Sequence, residues 1–468
     1  MKNLLTSGYL LRLLLLVFVF ILFLQFIVDP DFGWHLVMGK KLVESGVILR
    51  ADQLSWTMPG YEWGNSYFLY QAFLALLYNY FGYYCLVVVF ALISTLAVFL
   101  LIREVDLLKF VAIALGVRLA LSNLAVRPHN LSFLFFAILV VLLEKRFFTK
   151  RWHILFWFAF FTLWANVHRA FVVGIGVFAF YLTVDYLYKK SFSQKTKIGL
   201  PIFCVLGALA GSFITPFSLD LWKSGVAGDF LTIENLQYIA EWQSVVLFFE
   251  NNIYFFVTGI IFIYIFLTKA KKLEPTWFLI AAFLFSIGFV SSNFVFFWCV
   301  LFIFISSRYF TISTKSRLAR GVLIILGFGF IVYVSYSTYV HIRKFVGSNM
   351  EELLAKSGYP VEAVKYMRAN SINSNLLGQY NWGGFLLWQY PEAKVFIDGR
   401  MASWKTPEGK SILGVYMDLE NKKCEWLKRF NVKTLLVSKN FNLSCFVNFR
   451  EVYRDDTAKV LVKKEGEL

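Results

Sequence analysis

The chain carries one apolar run of membrane-spanning length after another, and that constrains its fold more than any other feature. The first run extends from about Tyr9 to Val28, roughly the 20 residues a bilayer core demands. Others fall at about 83–102, 108–122, 130–143, 153–166, 170–188, 198–214, 253–268, 276–290, 294–310 and 321–340. They make about eleven spans, several of them short. A further apolar run, about Tyr67 to Phe81, is set off by Gly82 and reads as interfacial or partly inserted. With 59% hydrophobic and 16% charged residues, 468 residues hold more apolar surface than a soluble core can hide. Lipid removes that requirement. The first run lacks a small-x-small cleavage site, so it reads as a retained anchor rather than a signal peptide.

Orientation follows from the charges between the runs. One set of junctions carries Lys2 and Arg12; Arg103 and Lys109; Lys145, Arg146, Lys150 and Arg151; Lys189, Lys190, Lys195 and Lys197; Lys269, Lys271 and Lys272; and Arg308, Lys315, Arg317 and Arg320. The alternate set has only Lys40, Lys41, Arg50, Arg127, Arg169 and Lys223. Its acids are more numerous: Asp29, Asp31, Glu44, Asp52, Glu62, Asp220, Asp229, Glu234, Glu241 and Glu250. The positive-inside rule places the N-terminus in the cytoplasm and loop 29–66 outside. The same asymmetry accounts for the net charge of +17 without a nucleic-acid partner.

An odd span count puts the segment from about His341 outside, and its texture is that of a soluble domain. "SNLLGQY", "KVFIDG", "KTLLVSK" and "KVLVKK" read as strands; "PVEAVKYMRAN" and "CEWLKRF" read as helices, the first with Pro360 near its start. The expected fold class is therefore an α-helical multi-span membrane protein with a small C-terminal extracytoplasmic α/β domain. Its expected boundaries are 1–340 for the transmembrane part, including outer loop 29–66, and 341–468 for the α/β domain. Cys85, Cys204 and Cys299 lie in apolar runs. Cys424 and Cys445 lie in the polar tail, where their pairing is left open, and no zinc spacing occurs.

Polar residues gather at the outer junctions: "DPDFGWH" after the first span, "RPHN" at Arg127–Asn130, "ANVHR" at Ala165–Arg169, "EWQ" at Glu241–Gln243 and "SSN" at Ser291–Asn293. A helix bundle would gather them on one surface, as a polar cavity at the outer interface. Such residues also cap helices and satisfy freed backbone groups. Arg118 and Arg127 are harder to explain that way, because a guanidinium at membrane depth needs an anionic partner or water. Trp34, Met38 and Leu42 recur every four residues, predicting a short helix on the membrane surface, apolar side down. Gly46 would stop it and Asp31 would stand at its start. Such a cavity suits transfer of a sugar from a lipid-linked phosphate. The acceptor hydroxyl needs a base, which a carboxylate supplies, and the leaving phosphate needs Arg, His or a metal ion.

Two windows carry a resemblance. "DPDFGWH" resembles the "DPxFNYR" segment in the first outer loop of the oligosaccharyltransferase catalytic subunit. Asp29 corresponds to its acid, in register with Pro30 and Phe32, and Asp31 is an addition. "QYNWGGF", Gln379 to Phe385, resembles the "WWDYG" of that subunit's soluble domain. Asn381 stands in place of its Asp, Trp382 in place of its Tyr, and Gly383 keeps its Gly. The chain is also similar to a broad set of bacterial membrane proteins with a "DxxWHL" first loop and a "WGG…IDGR" tail. The layout resembles the glycosyltransferase-C superfamily, with its protein O-mannosyltransferases and aminoarabinose transferases. The resemblance implies a glycosyltransferase of the cytoplasmic membrane, with a polyprenyl-linked sugar donor in the surrounding membrane lipids and a glycan, lipid or protein acceptor. Asp31 is the first candidate for general base and Asp29 the second. Either is a candidate ligand for a divalent cation, Mg or Mn. Arg118, Arg127, His129, His168 and Arg169 are candidates for the donor phosphate. Trp34, His35, Glu241, Asn381, Trp382, Asp398 and Arg400 are candidates for substrate contacts. Two rivals without catalysis are a multi-span transporter and an envelope-assembly protein. A transporter is expected to have matching broken helices at mid-bilayer, and the sequence has no such pair.

Overall fold

A computed structural model describes residues 7–189, 199–228, 232–250, 252–269, 273–312 and 316–464. Lys2, Lys190, Lys195, Lys197, Asp229, Lys271, Lys272 and Lys315, used above for orientation, lie outside the described residues. Along the chain run α1 (Ser7–Phe23), α2 (Phe32–Ser45), α3 (Phe68–Leu101), α4 (Leu107–Ala120), α5 (Pro128–Glu144), α6 (Trp152–Ala165), α7 (Phe171–Lys189), α8 (Gly199–Ser212) and α9 (Ser218–Trp222). Then follow α10 (Ile233–Tyr238), α11 (Ile253–Lys269), α12 (Pro275–Gly288), α13 (Val295–Tyr309) and α14 (Arg317–Phe345). The C-terminal part adds α15 (Met350–Lys356), α16 (Val361–Ala369), β1 (Leu376–Gly378), α17 (Gly383–Gln389), α18 (Ile412–Glu420), α19 (Glu425–Phe430), β2 (Thr434–Ser438), β3 (Phe449–Arg454) and β4 (Ala458–Lys463).

Among the described residues, three helices are long and apolar enough to cross a membrane: Phe68–Leu101, Ser292–Tyr309 and Gly321–Phe345. Seven apolar helices are shorter. The chain is a membrane protein, mostly helical with a small C-terminal sheet. The ambiguous run before Gly82 is helical, and Gly82 breaks α3 with φ 73° and ψ −175°. That conformation favours glycine, which has no Cβ to clash.

The chain divides into two compact units. One comprises 1–26, 87–215 and 240–344; the other comprises 27–86, 216–239 and 345–468. The helical unit has a polar cluster at each of two sets of helix ends. At the lysine- and arginine-rich junctions, Arg308 pairs with Glu144 at 2.7 Å and donates to the Leu101 carbonyl at 2.7 Å. Arg146 pairs with the fully buried Asp185 at 2.9 Å. The other cluster is described below.

The second unit shows that loop 29–66, read from the sequence with the membrane part, folds with the tail. The Val28 amide donates to Ser357 Oγ at 3.0 Å, Tyr359 Oη to the Val28 carbonyl at 3.2 Å, and Trp56 Nε1 to the Leu376 carbonyl at 3.0 Å. The sheet has the order β1-β2-β4-β3, with β1 parallel to β2 and the other pairs antiparallel. β1, β2 and most of β4 are buried, as residues such as Leu376, Leu435, Leu436, Val437 and Val460 require. "KVFIDG" is not a strand. Val395 makes single bridges to Ser55 and Leu376, and Thr57 Oγ1 takes the Phe396 carbonyl at 2.6 Å. Gly383 then presses on the Ile397 carbonyl, and the chain turns at Asp398–Arg400. Cys424 and Cys445 form a disulfide.

α2 starts after Asp31 and ends at Gly46 in the left-handed conformation, as its sequence predicts. Its apolar stripe does not lie on a membrane surface. Trp34 and Met38 are buried within this unit. Two glycines set the packing. A Cβ on Gly33 would lie 2.0 Å from the Gly384 carbonyl oxygen of α17, and one on Gly39 would lie 2.0 Å from the Gln71 carbonyl oxygen of α3. Gly33→Ala and Gly384→Ala are each expected to destabilise the protein by about 1–3 kcal/mol, the usual cost of overpacking. Gly176→Ala, which meets nothing within 4 Å, serves as the control. Thermal melts of the detergent-solubilised protein check the contrast.

Candidate functional site

Both units carry candidate site residues. In the helical unit a polar cluster forms where α5, α6, α13 and the 240–243 turn end. Arg127 precedes Pro128 at the start of α5 and pairs with Glu241. His129 Nε2 meets Asn293 Oδ1 at 3.1 Å, and its ring lies 4.5 Å from that of His168. His168 Nδ1 is 2.7 Å from Ser132 Oγ, which accepts from Trp164 Nε1 at 2.8 Å. Arg169 lies over the Trp242 ring at 5.4 Å. The Glu241 backbone carbonyl accepts from Ser291 and Ser292 hydroxyls at 3.2 and 3.0 Å. Four junctions far apart in sequence thus meet, because every second helix end returns to the same side. His129 is 8% exposed and its Nδ1 has no partner among the described residues. An imidazole left with one buried nitrogen unsatisfied forgoes about 1–3 kcal/mol that a ligand can restore.

Burial pushes the Glu241 carboxyl up, but Arg127, His129 and Arg169 outweigh it and hold the group below its ordinary range. The depressed value means that the ion pair stabilises the fold above the ordinary pKa of 4.5 and is lost as pH falls through the lower folded value. Arg118 lies elsewhere: its guanidinium packs over the Tyr254 ring at 5.0 Å.

In the second unit, Asp29 and Asp31 open α2. The Asp31 amide donates to Asp29 Oδ1 at 2.9 Å, and Trp34 Nε1 donates to Asp31 Oδ1 at 2.8 Å. Asp31 makes no side-chain cap to α2, so its carboxylate is held by the indole instead. Gly399 makes room for it, since a Cβ there would fall 1.9 Å from Asp31 Oδ1. The "IDGR" turn and the first loop therefore meet at this carboxylate. His35 is buried against Trp34, Tyr67 and Tyr70, with Nδ1 at 3.2 Å from Gln71 Nε2.

Asp398 and Arg400 form an internal ion cluster. Arg400 Nη2 bonds Asp398 at 2.6 Å and Nη1 bonds Asp52 at 2.9 Å, all three side chains at most 1% exposed. Burial works against the Arg400 charge, but Asp398 and Asp52 outweigh it and keep the guanidinium protonated. Asp52 also accepts from Ser55 Oγ at 2.6 Å. Trp382 is buried and Asn381 is exposed.

Among the described residues, no group of three or more His, Cys, Asp or Glu is placed to hold a metal ion. Asp29 Oδ1 accepts from the Asp31 amide and Asp31 Oδ1 from the Trp34 indole.

Sequence reasoning passed over Ser132, Trp164 and Asp52. The first two carried a signal: Ser132 follows His129 by three residues and Trp164 precedes His168 by four, the spacings that share a helix face. Asp52 carried none, because its partner is 348 residues away.

Alternate helix ends thus return to one polar cluster in the helical unit, and the α/β unit takes in the first loop. The structure is similar to the archaeal oligosaccharyltransferase AglB from Archaeoglobus fulgidus, described in complex with an inhibitory peptide and a dolichol-phosphate. The match has a TM-score of 0.55 and 9% identity, covering 91% of this chain and 69% of that one. At that identity the likeness is one of fold. No protein-family model matches the sequence. No curated protein matches it either.

Two outcomes test the clusters. Arg400→Met leaves Asp52 and Asp398 buried without a counter-charge and is expected to cost about 3–5 kcal/mol in chemical denaturation. Glu241→Gln is expected to lower the melting temperature at pH 7, with the gap to wild type closing as pH drops below 4.5.

Proposed function

We propose that the protein is a membrane glycosyltransferase that moves a sugar from a polyprenyl-phosphate or polyprenyl-diphosphate carrier to an acceptor outside the cytoplasmic membrane. The observation that carries this reading is the cluster of Arg127, Arg169 and the unsatisfied His129 at one set of ends of an apolar helical unit. A cationic, partly unsatisfied site beside lipid-facing helices suits a phosphate whose tail stays in the bilayer. The glycosyltransferase-C-like fold supports it, as does the dolichol-phosphate in the complex of AglB.

In this reading the acceptor oxygen attacks the anomeric carbon, the bond from that carbon to the phosphate oxygen breaks, and the polyprenyl phosphate leaves with the bonding electrons. Asp31 takes the acceptor proton; its bond from Trp34 fixes the carboxylate plane, and Asp29 holds the Asp31 backbone. In the helical unit, Arg127, Arg169 and His129 are the groups suited to the carrier phosphate, and His168 packs on His129. About eleven spans, a cytoplasmic N-terminus and an outward α/β unit complete the topology. The Cys424–Cys445 disulfide supports an oxidising outer compartment for that unit.

The test is transfer of radiolabelled sugar from a panel of polyprenyl-phosphate sugars in membranes containing the protein. Asp31→Asn is expected to lower kcat about 10²–10⁴-fold, the usual weight of a general base. Arg127→Gln combined with Arg169→Gln is expected to weaken donor use more than tenfold. Full activity in Asp31→Asn removes the assignment.

A further inference from the structure

A second cavity, of about 270 Å³, lies within the α/β unit and belongs to none of the groups assigned above. One wall is a ribbon of the first loop. Ala51 bridges Glu62, the Asp52 amide donates to the Tyr61 carbonyl at 2.9 Å, and the Trp63 amide donates to the Arg50 carbonyl at 3.2 Å. This pairing sets Arg50 beside Trp63. The ribbon is held firmly, because its Asp52 is the carboxylate that Arg400 grips. The opposite wall is Pro216, Phe217 and the α9 region with Asp220 and Lys223. The two walls close on Gly64, where a Cβ would fall 2.6 Å from the Asp220 carbonyl oxygen.

Trp63 is the informative residue. It is 8% exposed, and its indole N–H has no acceptor among the described residues. An indole is a donor only, so nothing but an incoming acceptor atom can satisfy it. Its ring also packs 6.3 Å from Trp34, whose own N–H holds Asp31. The cavity therefore stands one aromatic layer from the proposed base.

The lining defines the ligand. Arg50 and Lys223 are matched by Glu62 and Asp220, so the site has no net charge to select an oxyanion. Charged donors and acceptors sit beside the apolar surfaces of Trp63, Pro216 and Phe217. That combination suits a polyol ring, with hydroxyls to give and take hydrogen bonds and an apolar face to lie on aromatic carbon. The volume is just below the roughly 300–1,000 Å³ of sites for drug-sized ligands, and it fits one ring rather than a chain.

We infer that this cavity is a monosaccharide subsite, in which Trp63 Nε1 donates to a sugar oxygen while Arg50, Glu62, Asp220 and Lys223 bind hydroxyls. The inference rests on the glycosyltransferase reading for its purpose, and the sugar belongs either to the donor or to the acceptor.

The experiment is binding to the full-length protein in detergent, by saturation-transfer NMR, of methyl glycosides of glucose, mannose, galactose and N-acetylglucosamine, with inorganic phosphate in parallel. At least one glycoside is expected to bind at millimolar concentration. Trp63→Phe, which keeps the ring and removes the donor, is expected to weaken it at least fivefold with the melting temperature unchanged. Asp220→Asn with Lys223→Gln, both exposed, is expected to do the same should Trp63→Phe fold poorly. Binding of phosphate alone, no glycoside binding, or equal binding by the variants overturns the subsite. In the transfer assay, Trp63→Phe is expected to raise KM with little change in kcat: for the donor if the transferred sugar occupies the cavity, for the acceptor if the receiving sugar does. Because the binding arm needs no turnover, loss of the subsite and loss of the transferase reading are distinguishable. Glycoside binding that survives an inactive enzyme removes the second alone, and transfer without glycoside binding removes the first alone.

Discussion

The α/β unit depends on one buried charge. Arg400 joins Asp398 in the tail to Asp52 in the first loop, with all three side chains withdrawn from water. Such a cluster seldom adds net stability over a packed apolar core, but it tolerates no missing member. It therefore acts as a register device. Asp52 fixes the ribbon that bears Trp63, and the turn at Asp398–Arg400 places Gly399 under Asp31. The glycine contacts of α2 then follow, with Gly33 and Gly384 allowing two backbones to meet where side chains would hold them apart.

Glu241 and Asp31 are held by different physics, which suits different tasks. Glu241 stays ionised because Arg127 and its neighbours outweigh its burial. Its carboxylate is committed to a cationic partner, a poor starting point for accepting a proton. Asp31 accepts from the neutral indole of Trp34, which orients one of its oxygens. A carboxylate oxygen held in a fixed direction is what a proton acceptor requires. The separation of roles among carboxylates thus rests on the identity of the donor each one meets.

Much of this was legible before any coordinates. The periodicity of α2, its stop at Gly46, the strands β2 and β4 and the gathering of "RPHN", "ANVHR", "EWQ" and "SSN" all follow from local chemistry that the chain displays openly. What escaped was long-range. "KVFIDG" has the composition of a strand, yet the first loop and Gly383 take its backbone before a ladder can form. The stripe of α2 looked like a membrane contact because apolar periodicity does not state what it packs against. Asp398 and Arg400 read as substrate contacts after a strand, and nothing near them in sequence announces Asp52.

The unit that holds Asp31 is assembled from three separate stretches of chain. Asp52 and Arg400 are 348 residues apart. At a synthesis rate of about 5–20 residues per second, the first loop is complete roughly 20–70 seconds before its partner exists. Through that interval the Trp34–Met38 stripe has no tail to cover it, and Asp52 has no guanidinium. Newborn chains thus pass through an obligatory stage in which an aromatic loop is finished but homeless. Biogenesis of this protein turns on keeping that loop from other partners until the last quarter of the chain arrives.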